Sequence, residues 1–113
     1  MPEQQINMAT PAFNRMKVAH YYVETQVLYT HIWNPHGVHY GVWTDSTSSL
    51  HEAIRNLDDM VARQLALPPG SQVLDAGCGI GGTSHHFQQR YGFQMVGITL
   101  SEYQLGKAKL AIQ

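Results

Sequence analysis

A single cysteine, Cys78, stands in 113 residues, which leaves no disulfide framework and makes a reducing compartment, the cytoplasm, the expected location. No apolar run approaches membrane-spanning length, and the opening MPEQQINMATP lacks the charged-then-apolar build of a signal peptide. Charge of either sign is scarce. With 7 Lys and Arg, 8 Asp and Glu and a formal net charge of -1, the chain has no basic cluster to meet nucleic acid or an acidic membrane surface. A small molecule is the expected partner. There are 7 histidines, but no cysteine or acid completes a ligand set around His31, His36 and His39 or around His85 and His86. Adjacent histidines on a helix point apart, so no metal is expected. Internal repeats and low-complexity tracts are also missing.

Glycine, by contrast, is concentrated where it matters. QVLDAGCGIGG, residues 72–82, reads as a short buried strand running into a glycine turn and then a helix. Val73 and Leu74 are strand formers, and Asp75 stands at the strand's carboxyl end. Gly77, Gly79, Gly81 and Gly82 strip side chains from most of the turn, so a flat ligand can lie against bare peptide. Gly77, Gly79 and Gly82 satisfy the dinucleotide spacing G-x-G-x-x-G as literally as Gly77, Gly79 and Gly81 satisfy the G-x-G-x-G of methyltransferases. Asp75 tilts the choice, because an acid there suits a ligand carrying an ammonium group and repels a pyrophosphate.

In chain order, residues 1–11 form a lead. Over residues 13–33 the apolar Met16, Ala19, Val23 and Val27 recur at helical spacing, with Tyr22, Tyr29 and Trp33 on a neighbouring strip. Asn34-Pro35 ends that helix, and the His-, Gly- and aromatic-rich segment up to residue 47 reads as a functional loop. Ser49 and Glu52 form a capping box for an amphipathic helix whose apolar stripe is Leu50, Ile54, Leu57, Val61 and Leu65, stopped by Pro68-Pro69-Gly70. A helix burying Phe87 follows the glycine turn and ends at Gly92; residues 94–98 make the next strand. Ser101 then opens a helix with Gln104 at the capping-box position and Leu105, Ala108 and Ile112 as its buried face. This β-α-β unit implies adjacent parallel strands and a right-handed crossover. The expected fold is α/β, with the ligand beyond the carboxyl ends of the strands.

VLDAGCGIGG, followed by GITLSEYQ after one helix and one strand, resembles the first half of an S-adenosylmethionine-dependent methyltransferase core of Rossmann-like fold. Upstream, YYVETQVLYTHIW and HYGVW are similar to the entry segment of a subgroup containing the cyclopropane fatty acid synthases, the tocopherol and sterol C-methyltransferases and natural-product methyltransferases. The resemblance implies two parts, an amino-terminal helical lid and substrate-facing loop (1–47) and the start of the cofactor-binding domain (48–113). It further implies S-adenosylmethionine as cofactor and a small-molecule or lipid-like methyl acceptor. Asp75, Ala76, Gly77, Cys78, Gly79 and Gly81 would hold the methionine end of the cofactor, and Thr99, Leu100, Ser101 and Gln104 would lie along the ribose. Most methyltransferases have an acid at the end of the second strand; Thr99 here, within T-L-S-x-x-Q, fits the cyclopropane synthase subgroup. It also counts against a nicotinamide enzyme. A lid tyrosine, Tyr21 or Tyr22, and Trp43 are the implied aromatic wall near the sulfonium.

Plainer roles stand beside these. Gln104 also suits a capping box with Ser101, Asp75 a turn, and the tyrosines half-buried helix packing. His36, His39 and Tyr40 read as loop residues facing a substrate, any one a candidate general base. Two strands are fewer than such a core uses, so the sequence reads as the amino-terminal part of a longer enzyme, inactive when isolated. Val73, Leu74, Val96, Ile98, Leu105, Ala108 and Ile112 are then expected to face water or other copies, with self-association through open strand edges. A dinucleotide-binding oxidoreductase fragment and a truncated non-catalytic interaction domain are the competing readings.

Overall fold

Two short strands, β1 (Gln72–Ala76) and β2 (Gln94–Ile98), pair in parallel with Asp75 opposite Gly97 and Ala76 opposite Ile98. The computed structural model describes residues 15–32 and 37–111. Around the strands lie α1 (Arg15–Ile32), α2 (Leu50–Leu65), α3 (Gly82–Tyr91) and α4 (Glu102–Ala111). The expected β-α-β unit is therefore present, preceded by two helices. The expectations for residues 1–11, Phe13, Trp33, Asn34, Pro35, His36 and Ile112 lie outside the described residues.

Local chemistry bounds α2 and α3. Ser49 caps α2 by accepting from the Glu52 backbone N–H at 3.2 Å. The return half of the capping box is displaced by one residue: the Glu52 carboxylate accepts from the N–H and hydroxyl of Ser48, at 2.8 and 2.9 Å. Its pKa is lowered by these two bonds. Gly92 closes α3 in the left-handed region, φ 69°, with its N–H donating to Gln88 O.

The core centres on Ala62, Phe87 and Phe93, with Val73, Tyr91 and Met95 packed against them. Phe87 meets Phe93 and Tyr91 edge-on, at centroid distances of 5.9 and 6.0 Å, a favourable quadrupole arrangement. Asp59 ties α2 to α3, accepting on Oδ1 from His86 Nε2 at 2.7 Å and from the Tyr91 hydroxyl at 2.8 Å. His86 is thus a structural anchor.

Three sequence expectations shift. The buried residues of α2 are Ala53, Ile54, Asp58 and Ala62, whereas Val61 and Leu65 are exposed. The helix is turned toward its small residues because the 37–47 loop and α3 approach there. At Gly41, an added Cβ would lie 2.5 Å from Ala53 Cβ. Ser101, just before α4, is buried with Gln104 and Ala108 of that helix, and Leu105 is exposed. Finally, β1 is buried on one face only. Val73 and Met95 face the core, and Ala108 is buried against Gly81, so Val73 and Ala108 do not face water as expected; Leu74, Val96 and Ile98 on the opposite face do, at 63%, 58% and 53% exposed. Successive strand residues alternate faces, so helices on one side cover only every second side chain.

Candidate functional site

The glycine turn hangs from the end of β2. Gly77 N–H and Cys78 N–H both donate to Ile98 O, at 2.8 and 2.9 Å. Gly77 and Gly79 take φ of 80° and 55°, a region closed to most side chains. A Cβ added at Gly77 would meet nothing within 4 Å, and one at Gly79 only Gln104 Nε2 at 3.9 Å. Bare backbone therefore borders open space.

Gly81 and Gly97 serve a different purpose. A Cβ on Gly81 would sit 3.2 Å from Ala108 Cβ, and one on Gly97 would sit 2.8 Å from Cys78 Sγ. These two glycines admit α4 and the turn, and Gly81 is buried rather than facing a ligand. Cys78 is half-buried against β2, and burial with the nearby Asp75 charge raises its thiol pKa. It is the small turn residue that its position in the sequence suggests.

A cavity of about 250 Å³ opens at this turn, bounded by Asp75, Gly77 and Gly79 on one side and by Val38 and His39 of the loop on the other. Asp75 Oδ2 accepts from Ser84 Oγ at 2.6 Å. Its Oδ1 has no protein donor among the described residues. An ammonium group would satisfy that oxygen, and a flat chain would fit where the missing Cβ atoms leave room. The residues present fit S-adenosylmethionine.

Thr99 and Gln104 are joined to one another. Thr99 Oγ1 donates to Gln104 Oε1 at 3.0 Å, and Gln104 Nε2 donates to Gln26 Oε1 of α1 at 2.9 Å. Gln104 N–H is capped by Ser101 Oγ at 3.2 Å. The reciprocal capping box is therefore only half made, because the Gln104 side chain reaches α1. Ser101 is 1% exposed, with its hydroxyl used on that cap. Leu100 lies in a separate cleft against Ala19 and Val23. Ala76 ends β1 opposite Ile98, at the edge of the turn.

The aromatic residues divide between a second cavity and the surface. Tyr21, Tyr22 and Tyr40 line a second cavity, between α1 and the loop, rather than the one holding Asp75. Trp43 is 59% exposed and borders neither cavity. Val38 borders both.

His39 is held from two sides. Its Nδ1 donates to Tyr40 O at 2.8 Å and its Nε2 faces Asp58 Oδ1 at 3.2 Å. Both nitrogens face acceptors, and the hydrogen bond to Asp58 raises the His39 pKa despite partial burial. Both ring nitrogens of His39, a candidate general base by sequence, are thus engaged within the fold. Burial pushes the Asp58 carboxyl up, but hydrogen bonds from His39 and Thr83 and the Arg55 charge outweigh it and hold its pKa low. Arg55 Nη1 reaches Asp58 Oδ2 at 2.8 Å, and Thr83 Oγ1 donates to Oδ1 at 2.8 Å. Among the described residues, no group of three His, Cys, Asp or Glu side chains is placed to hold a metal ion.

Sequence reasoning missed Asp58, Ser84 and Gln26. Asp58 carried a signal, an acid four residues after Ile54 on the apolar face with an arginine three residues before it. Ser84 and Gln26 carried none, because their partners are brought near only by folding.

Comparison with known proteins places this geometry. The family profile described as mycolic acid cyclopropane synthetase matches residues 10–113. Tocopherol O-methyltransferase of Arabidopsis thaliana is 32% identical over 106 residues, covering 83% of this chain and 30% of that protein. The mycolic acid cyclopropane synthase CmaA1, complexed with SAH and CTAB, superposes with TM-score 0.79 at 25% identity, over 88% of this chain and 35% of that one. The [4+2]-cyclase SpnF superposes with TM-score 0.76 at 31% identity, over 89% and 38%. The chain thus spans about a third of the length of these proteins. Nothing among them favours a nicotinamide enzyme or a non-catalytic interaction domain. With the turn, the parallel strand pair and the preceding helices all matched, the chain belongs to the mycolic acid cyclopropane synthetase family of S-adenosylmethionine-dependent methyltransferases.

Proposed function

We propose that the full-length protein binds S-adenosylmethionine at the glycine turn and transfers its methyl group to a small-molecule or lipid-like acceptor. The observation that carries this reading is the cavity in which side-chain-free Gly77 and Gly79 stand beside the half-satisfied Asp75 carboxylate. Bound there, the cofactor supplies a methyl group already activated on a sulfonium, so the protein's task is placement and exclusion of water.

On this reading Asp75 Oδ1 accepts from the ammonium group, with Ser84 fixing the carboxylate's orientation. Gly77 and Gly79 present backbone to the methionine chain. Thr99 lies on the ribose side, oriented by Gln104, whose amide is already engaged by Gln26. Ala76, Cys78, Gly81, Leu100 and Ser101 support the turn and the start of α4 rather than grip the ligand. Residues 1–47 act as the lid part and 48–113 as the start of the cofactor part, although loop 37–47 is fastened to α2, with Val42 N–H donating to Ala53 O at 2.8 Å. No helix among the described residues is long and apolar enough to cross a membrane. The lone cysteine supports a cytoplasmic setting.

The cyclase among the similar structures means that methyl transfer must be measured and not taken from the fold. SAH titration calorimetry on the full-length protein should show binding, and Asp75→Asn should weaken it about tenfold by removing a charge-assisted hydrogen bond. Transfer of labelled methyl from S-adenosylmethionine to a panel of acceptors tests the second half. Failure of the protein to bind SAH would sink the reading.

A further inference from the structure

The 37–47 loop meets α2 at two places of different chemistry. At the rear, Val42 N–H donates to Ala53 O at 2.8 Å, and Asn56 Nδ2 donates to Val42 O and to Thr47 Oγ1, each at 3.0 Å. No ionisable group takes part in these bonds. At the front, where Gly37, Val38 and His39 border the cavity holding Asp75, the loop meets α2 through His39 Nε2 and Asp58 Oδ1, 3.2 Å apart. A Cβ added at Gly37 would lie 3.4 Å from His39 Nε2 and 3.7 Å from Ile54 Cγ2, so this end of the loop is packed down on α2.

Asp58 joins that front end to another wall of the same cavity. It is 3% exposed, and its Oδ1 also accepts from Thr83 Oγ1, at the start of α3, at 2.8 Å. Its Oδ2 accepts from Arg55 Nη1 at 2.8 Å, and the same nitrogen reaches Gly82 O at 3.2 Å. One buried carboxylate thus fixes both the loop and the helix start that follows the glycine turn. His39 is the titratable side of this joint. Its Nδ1 lies 2.8 Å from Tyr40 O while its Nε2 faces Asp58, and a neutral imidazole carries a single N–H. Only a protonated ring makes both hydrogen bonds at once; on deprotonation one of them becomes a lone pair facing an oxygen. Among the described residues, the charged and titratable groups around His39 are Asp58 and Arg55 of α2 and, across the cavity, Asp75 and Cys78; α3 offers Thr83, which does not titrate. The hydrogen bond to Asp58 raises the His39 pKa, the direction such a joint requires.

We propose that Asp58 is a positioning residue for cofactor binding: through His39 it holds the front of the 37–47 loop as a wall of the cavity, and loss of the His39 proton frees that front while the rear anchor stays made. The inference rests on the cofactor reading above and deepens it by naming what keeps the site walled and what opens it. A molecule with the front of the loop unfastened lacks one wall of the site, so apparent SAH affinity scales with the fraction of molecules in which the wall is in place. That fraction is highest while His39 is protonated. SAH affinity therefore falls as pH rises through the pKa of His39 in the folded protein.

The test titrates SAH into the full-length protein by calorimetry at a series of pH values from about 6 to about 8.5, the range in which a histidine with a raised pKa changes charge. Native affinity should fall about fivefold across that range. His39→Gln keeps an N–H for Asp58 but has no proton to lose, so its affinity should be flat with pH and lie at the weaker, high-pH level of the native protein. Asp58→Asn should flatten the profile as well. The His39 side chain is 34% exposed, so its variant gives the readout if the buried Asp58→Asn fails to fold. A merely structural role for the pair would lower the melting temperature of both variants yet leave SAH affinity and its pH profile as in the native protein. That result, or a native affinity that does not change with pH, would overturn the proposal and leave the cofactor reading standing. A native protein that binds no SAH at any pH would overturn both.

Discussion

The side-chain amide of Gln104 donates from Nε2 to Oε1 of Gln26, at 2.9 Å, and both residues are buried. They stand 78 positions apart in the chain. One neutral hydrogen bond thus fastens α1 to the helix that follows β2, and its donor also receives Thr99 Oγ1 on the other side of the same amide.

Gln26→Leu should loosen that attachment. It leaves the buried Gln104 N–H group without its acceptor, a loss of about 1–3 kcal/mol. Amide exchange across α1 of the full-length protein should quicken, and SAH affinity should fall because Gln104 no longer steadies Thr99. Unaltered exchange in α1 would show that other contacts hold the helix.

The glycines should separate by what lies beside them. Gly79→Val places a branched side chain into open space at positive φ, with strain of about 1–2 kcal/mol, so the protein should fold yet lose SAH binding. Gly97→Ala should instead lower the melting temperature, because its new Cβ would meet Cys78 Sγ at 2.8 Å. Thermal melts and SAH titrations on both variants check the contrast. A folded Gly79→Val protein with normal SAH affinity would contradict the placement of the cofactor.

The His39–Asp58 pair should give stability a pH dependence of definite sign. His39 is raised above the ordinary histidine value of 6.5, so its contribution is complete below 6.5 and is lost as pH rises through the folded-state pKa. Asp58 is lowered below 3.8, so its contribution is complete above 3.8 and is lost as pH falls through its folded-state value. The pair is therefore at full strength between those two values. Melting temperatures of the native protein and of His39→Gln, measured across pH, should differ most in that window and converge above it. A gap that widens as pH rises would contradict a raised His39 pKa.

Residues 1–113 taken alone should associate and transfer no methyl group. Leu74, Val96 and Ile98 leave one face of a two-stranded sheet apolar and open, and both strands are edge strands. Sedimentation velocity should show concentration-dependent assembly, and a label assay should show no transfer. A well-behaved monomer that turns over an acceptor would refute this expectation.

The sequence by itself determined the elements and their order. Periodicity marked the helices, alternation with glycine marked the strand and turn, and Ser49, Gly92 and Pro68-Pro69 set boundaries, because these signals act within a few residues of one another. It determined the cofactor class too, since a glycine turn after a strand, with Asp75 before it and Thr99 at the end of the next strand, is local chemistry repeated at fixed spacing. Tertiary structure decided which faces are buried and which side chains meet. The buried face of α2 rotated from the Val61 and Leu65 stripe to Ala53, Asp58 and Ala62, because the loop and α3 approach where the side chains are small. Only folding joined Gln26 to Gln104, set His39 against Asp58, and gathered Tyr21, Tyr22 and Tyr40 in a cavity apart from the glycine turn. Partners that lie many residues apart leave no local pattern, and the direction in which a polar side chain points is fixed by what packs against it.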